Sequence, residues 1–211
     1  MGLIGALLSG DLAWVFSIII GAAIALTVHE FAHAKIADWA GDPTPRSQGR
    51  VTLNPLAHYD PIGTTLFLLF GMGWGKPVQV NPTAFRRPRE DEVLVSAGGA
   101  AANLVVAALV GTLLRFHLVP DQFFDLARFI VVLNCALAFF NLIPLYPLDG
   151  SHVLIGLFPY RTAHKISMFY QRTGMMPLLI FVMAISVLRL PIIQWPIALL
   201  FRAFTGFNLF H

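Results

Sequence analysis

Three stretches of this chain lack any charged side chain over lengths that can cross a bilayer, and that limits its fold more than any other feature. Residues 12–28, 93–114 and 129–148 contain no Asp, Glu, Lys or Arg. A membrane-spanning helix needs about 20 apolar residues, with a range of about 17–25. Backbone groups in hydrocarbon find no water to bond, so a span must satisfy them internally, as a helix does. Composition agrees with this reading. Apolar residues make up 57% of the chain and charged residues 12%, whereas an average soluble domain is about 25% charged. The expectation is an all-α polytopic membrane protein with a core of three spans. The 211 residues suit one membrane-embedded domain, with a core over about 12–150 and C-terminal helices over about 151–211.

The remaining apolar segments are shorter. Segment 61–75, PIGTTLFLLFGMGWG, ends in three glycines within five positions. That length suits a short re-entrant element, because irregular backbone at membrane depth is tolerated only where protein or water satisfies it. Stretches 48–54 and 76–82 alternate in a β-like way, and Pro77 and Pro82 mark the second as an edge. Runs 173–188 and 190–201, divided by Arg189 and Pro191, read as a C-terminal apolar hairpin or as a span plus an interfacial helix. Residues 12–28 have no basic segment ahead of them, so they read as an uncleaved first span and not as a signal peptide. The net charge is +3, and its Lys and Arg fall in loops without the runs that bind nucleic acid. Cys135 is the only cysteine, which excludes an intrachain disulfide and a thiolate metal site.

The first span runs directly into His29-Glu30-Phe31-Ala32-His33, an H-E-x-x-H pattern. On a helix, positions i and i+4 share one face. Both imidazoles can then bind one Zn²⁺, with the glutamate beside the metal as general base. The plainer alternative is a helix end with interfacial histidines. A glutamate at the end of a membrane run is costly unless it has a partner or a wet cavity. Catalytic zinc takes three protein ligands and keeps one position open. Asp149 is the leading candidate for the third, since it also ends a charge-free run. Pro144 and Pro147 interrupt helical hydrogen bonding there, and Gly150 lets the backbone turn. The alternative for this Asp-Gly pair is an ordinary turn.

HEFAH at 29–33, followed by NLIPLYPLDG at 141–150, resembles the site-2 protease family of intramembrane zinc metalloproteases. Gly99-Ala-Ala-Ala-Asn103 resembles that family's G-x-x-x-N segment. NPLAHYDPIGT at 54–64 and GWGKPVQVNP at 73–82 resemble a compact prokaryotic branch without PDZ or CBS domains. The resemblance covers about residues 29–150. It implies His29, His33 and Asp149 as ligands of one Zn²⁺ per chain and Glu30 as the catalytic base. The implied reaction is hydrolysis of peptide bonds in or near transmembrane segments of other membrane proteins, as in regulated intramembrane proteolysis. Three other readings remain at this point: a membrane metal transporter, a non-catalytic membrane-protein binder, and a membrane metalloprotease acting on soluble or prenylated C-terminal peptides.

Whether His33 and Asp149 can meet depends on segment 61–75. If it crossed completely, Asp149 would emerge on the face opposite His33. If it enters and leaves by one face, span 93–114 goes out, 129–148 returns, and Asp149 arrives level with His29 and His33. Loops 34–60 and 76–92 hold seven Lys or Arg, whereas 115–128 holds only Arg115 and Arg128. The positive-inside rule then turns the active site towards the cytoplasm of a prokaryotic cytoplasmic membrane. Of the other polar residues, Asn103, Asn141 and His58 are candidates for binding substrate or stabilising an oxyanion. For each asparagine the alternative is a helix tie, and for His58 an interfacial loop role. His152 could be a partner that orients a ligand, or make a simple polar contact. The expected partners are transmembrane substrates and the lipid bilayer, with homo-oligomerisation left open.

Overall fold

The computed structural model describes residues 3–70 and 73–209. Helix α1 is Leu3–Ser9, and α2 runs unbroken over Leu12–Ala40. Asp11 starts α2 by accepting the Trp14 amide at 3.0 Å, and Gly41, at φ 111°, ends it in the left-handed conformation. At 1.5 Å per residue α2 is about 43 Å long, more than the hydrocarbon thickness of about 30 Å, so its last turns extend past the core. A short helix α3, Thr44–Ser47, follows, and then α4, Pro61–Phe70. Helix α5 spans Pro88–Arg115 and α6 spans Phe124–Asn141. The C-terminal part holds α7 (Asp149–Leu157), α8 (Tyr160–Thr173), α9 (Met176–Leu188) and α10 (Gln194–Thr205). Among the described residues, α2, α5 and the α6 region are long and apolar enough to cross a membrane.

These three helices form the core, and small residues bring them close. A Cβ added at Gly21 would lie 2.7 Å from Phe129 Cδ1, and one at Gly98 would lie 2.2 Å from Ile36 Cδ1. Helices in lipid associate through this kind of close packing, because lipid is as apolar as the side chains it would replace. The register sets their directions. His33 meets Val95 and His29 meets Asn103, so α5 runs antiparallel to α2. Gly21 faces Phe129 while Asn103 bonds Asn134, so α6 runs back towards the His33 end.

Residues 61–70 and 73–75 come back together. Trp74 lies against Gly63, where an added Cβ would sit 2.2 Å from the Trp74 carbonyl oxygen. The Lys76 amide donates to the His58 carbonyl at 2.9 Å. The two ends of the segment therefore meet, as an element that enters and leaves by one face requires.

The β-like stretches are corrected by the structure. Among the described residues, 48–54 forms turns and bends, and 76–81 runs extended without a ladder. Its amides go singly to other elements: Lys76 to His58, Val78 to the Glu30 carboxylate at 3.0 Å, and Asn81 to Asp42 Oδ2 at 2.6 Å. With no strand alongside, alternation alone cannot make a sheet. The C-terminal apolar runs divide their packing. Helix α10 seats Ile197 and Phe201 among Ala107, Leu114, Val131 and Cys135 of α5 and α6. Helix α9 follows α8 across a 73° bend, and Arg189, at φ 50°, turns the chain between α9 and α10.

Candidate metal centre

Residues 142–148 leave the helix that carries Asn141 and deliver Asp149 as the first residue of α7. The Tyr146–Pro147 peptide is cis. Tyr170 of α8 donates its hydroxyl to the Pro144 carbonyl at 2.8 Å, bracing the turn. Gly150 is required by close approach: an added Cβ would lie 2.3 Å from the Leu142 carbonyl oxygen. A carboxylate in the first turn of α7 is also favoured by the helix dipole.

The turn carries Asp149 to the two histidines of α2. Asp149 Oδ2 lies 3.1 Å from His29 Nε2 and 3.3 Å from His33 Nε2, and the two Nε2 atoms are 3.0 Å apart. The donor chemistry of these atoms follows from their outer partners. His33 Nδ1 is 2.7 Å from the Val95 carbonyl, which can only accept, so Nδ1 carries the proton. His29 Nδ1 is 2.7 Å from Asn103 Oδ1, also an acceptor. In the neutral imidazoles both Nε2 atoms then carry the lone pair, and the contact between them is no hydrogen bond. Asp149 Oδ2 is buried and has no hydrogen-bond partner. Three lone-pair donors facing one another repel unless a cation lies among them.

The spacing, 3.0–3.3 Å, is a few tenths of an ångström tighter than such a cation sets. Ligand atoms about 2.0–2.2 Å from a tetrahedral zinc lie about 3.3–3.6 Å from one another. The two histidines are nearly buried, at 5% and 8% exposure. Among the described residues this is the one cluster of His, Cys, Asp or Glu whose geometry could hold a metal ion. Gly99 makes room for it. A Cβ there would stand 2.5 Å from His33 Nε2 and 2.6 Å from His29 Cε1.

Glu30 lies beside the cluster, half-buried, and its Oε2 accepts the Val78 amide at 3.0 Å. The extended segment 76–81 therefore holds the carboxylate from outside the helix. Arg50 stiffens that segment. Its guanidinium is buried and donates to the carbonyls of Ala57 and Lys76. Burial lowers the Arg50 pKa from its ordinary value, while the negative charge of Glu30 works the other way.

Comparison with known proteins completes this description. Residues 117–185, which include the 142–148 turn and Asp149, match Peptidase family M50. "Putative zinc metalloprotease YwhC" of Bacillus subtilis (strain 168) is 41% identical over 148 residues, covering 64% of this chain and 66% of that protein. The chain belongs to peptidase family M50. A second relative, "Putative zinc metalloprotease Rip2" of Mycolicibacterium smegmatis, is 32% identical over 144 residues, 65% of this chain and 55% of that one. The match thus spans about two thirds of one curated relative and just over half of the other. No solved structure matches the chain.

The other sequence candidates in this M50 chain are spread around the centre. Asn103 touches it through His29. Asn141 donates its amide back to the Leu137 carbonyl of its own helix at 3.0 Å. His58 is buried in the 55–58 turn, with Nε2 2.9 Å from the Thr52 carbonyl. His152 lies 3.2 Å from Glu92, a partly exposed pair joining α7 to α5. Sequence reasoning missed Asn134 and Arg50. Asn134 is fully buried and bonded to Asn103. An asparagine in a charge-free span was a usable signal for it, whereas Arg50 looked like one more basic loop residue.

Proposed function

We propose that the chain is a zinc metallopeptidase that hydrolyses peptide bonds in or near transmembrane segments of membrane proteins, with His29, His33 and Asp149 holding one Zn²⁺. The observation that carries this reading is the convergence of His29 and His33 of the membrane-spanning helix α2 with Asp149 of α7, their ligand atoms within 3.3 Å of one another and Glu30 between the two histidines in sequence. Bound zinc would supply Lewis-acid polarisation of the scissile carbonyl and make water nucleophilic near neutral pH. Glu30 takes the proton of the attacking water and later delivers it to the leaving amine. The Val78 amide keeps that carboxylate turned outward from α2. A transmembrane substrate must unwind first, because its carbonyls are already hydrogen-bonded along its own helix. Backbone groups of the extended segment 76–81 are suited to hold the unwound piece by strand addition. His58, whose carbonyl accepts the Lys76 amide, borders this region and is the candidate substrate-side group; Asn103 is fully buried and engaged by His29, Ala25 and Asn134, and so supports the ligand instead. The basic loops 34–60 and 76–92 favour a cytoplasmic orientation.

The test is a set of purified variants. Glu30→Gln keeps stoichiometric zinc and loses cleavage of a tagged membrane substrate by at least about 10²-fold. His33→Ala and Asp149→Ala lose both zinc and cleavage. An active Glu30→Gln protein would remove the base assignment. Wild-type protein that imports metal into sealed vesicles and cleaves nothing would favour a transporter.

A further inference from the structure

Asn134 of α6 is fully buried, reaches none of the candidate ligands, and takes no part in the chemistry described above. Its contacts nevertheless lead to the metal centre. Its Nδ2 donates to the Ile130 carbonyl at 2.8 Å, which leaves its Oδ1 turned towards α5. That oxygen accepts from Asn103 Nδ2 at 2.8 Å. The same Nδ2 also donates to the Ala25 carbonyl of α2 at 2.9 Å. Asn103 Oδ1 then lies 2.7 Å from His29 Nδ1.

Each link permits one orientation. If the Asn103 amide were flipped, its oxygen would face Asn134 Oδ1 and the Ala25 carbonyl, two acceptors that cannot donate. Its NH₂ would face His29 Nδ1. His29 would then have to accept there, and its remaining proton would sit on Nε2, the atom that faces Asp149. A protonated Nε2 cannot bind a metal. The buried setting makes the wrong orientation costly, since each unsatisfied acceptor there carries a desolvation penalty.

We propose that Asn134 is a positioning residue that acts through Asn103 to hold His29 in the tautomer whose Nε2 lone pair faces the metal. The relay runs from a carbonyl of α6 through two amides to the imidazole and contains no titrating group besides the histidine. It joins all three core helices at one point, so the packing of the bundle and the chemical state of a ligand are linked. This inference rests on His29 being a zinc ligand.

The experiment measures zinc affinity of detergent-purified protein by chelator competition, together with ¹⁵N side-chain shifts of His29 in the zinc-free state. Asn134→Leu is expected to weaken zinc binding about 10–100-fold, the usual effect of losing a group that orients a ligand. It should also convert His29 from a single Nδ1–H form to a mixture. In an Asn103→Leu background the same change should add less than twofold, because the relay is already cut. Val131→Ala, another buried change in α6, should lower stability and leave zinc affinity within twofold. Should Asn134→Leu fail to fold, Asn134→Thr is read instead. Its shorter hydroxyl can bond back to Ile130, as Thr205 does to Phe201, and it withdraws the acceptor from Asn103. Unchanged zinc affinity and an unchanged His29 tautomer in the folded variant would overturn the proposal, as would losses that multiply in the double variant. Wild-type protein that binds no zinc would instead overturn the metallopeptidase reading.

Discussion

The state of each imidazole is decided one bond away from the metal centre. His29 and His33 use their Nδ1 atoms on an asparagine oxygen and a backbone carbonyl, which in the neutral rings leaves the lone pair on each Nε2. That arrangement is expensive in an apolar interior unless a cation accepts the lone pairs. Gly99 matters for the same reason, since any side chain at that position would occupy the space between the two rings. Gly99→Ala is therefore expected to abolish zinc binding while the bundle still folds. Metal analysis beside a melting curve checks this, and a zinc-replete Gly99→Ala protein would show that the rings can move aside. At this scale the histidines, Glu30 and Asp149 were legible, because their spacing and their place at the ends of apolar runs are chemical signals. Asn134 and Arg50 were not singled out, since their importance lies in partners that are remote in sequence.

Among the elements, α2 is the part most fully readable in advance: one charge-free run that continues as helix through the histidines. The returning helix was overextended by the composition alone. Residues 129–148 carry no charge, yet α6 stops at Asn141, and the next seven residues form the turn that aims Asp149. Pro144 and Pro147 explain the stop, because neither can continue the helical bonding. The extended segment 76–81 shows the opposite error: its alternation was real, but no second strand lies beside it. Helix α10 contributes packing and no ligand. Phe201 is fully buried among α5 and α6. Phe201→Ala should cost about 3–5 kcal/mol of stability through the cavity it leaves, with zinc content unchanged. Denaturant titration of the detergent-solubilised protein would measure the first and metal analysis the second. Zinc lost in proportion to stability would mean that α10 and the metal centre are coupled.

At the scale of the whole molecule, the meeting of the two ends of segment 61–75 sets the parity of the chain. Because His58 bonds Lys76, loops 34–60 and 76–92 lie on one side, and α5 and α6 then make one round trip that returns Asp149 to α2. The basic residues of those loops fit that arrangement independently. In a Cys135→Ala background, Gln48→Cys and Gln171→Cys should label from one and the same side of sealed vesicles. Gln122→Cys should label from the other side. Labelling of positions 48 and 122 from the same side would contradict the round trip.

Composition and spacing by themselves determined that this chain enters a membrane, how many long helices it uses, and which residues could bind a metal, because hydropathy and side-chain chemistry are local properties. Tertiary structure decided whether those residues meet. It also decided which nitrogen of each histidine is free and which buried amide stands behind them. Those outcomes depend on contacts 31 to 78 residues apart along the chain, where no local pattern records which atoms will be neighbours.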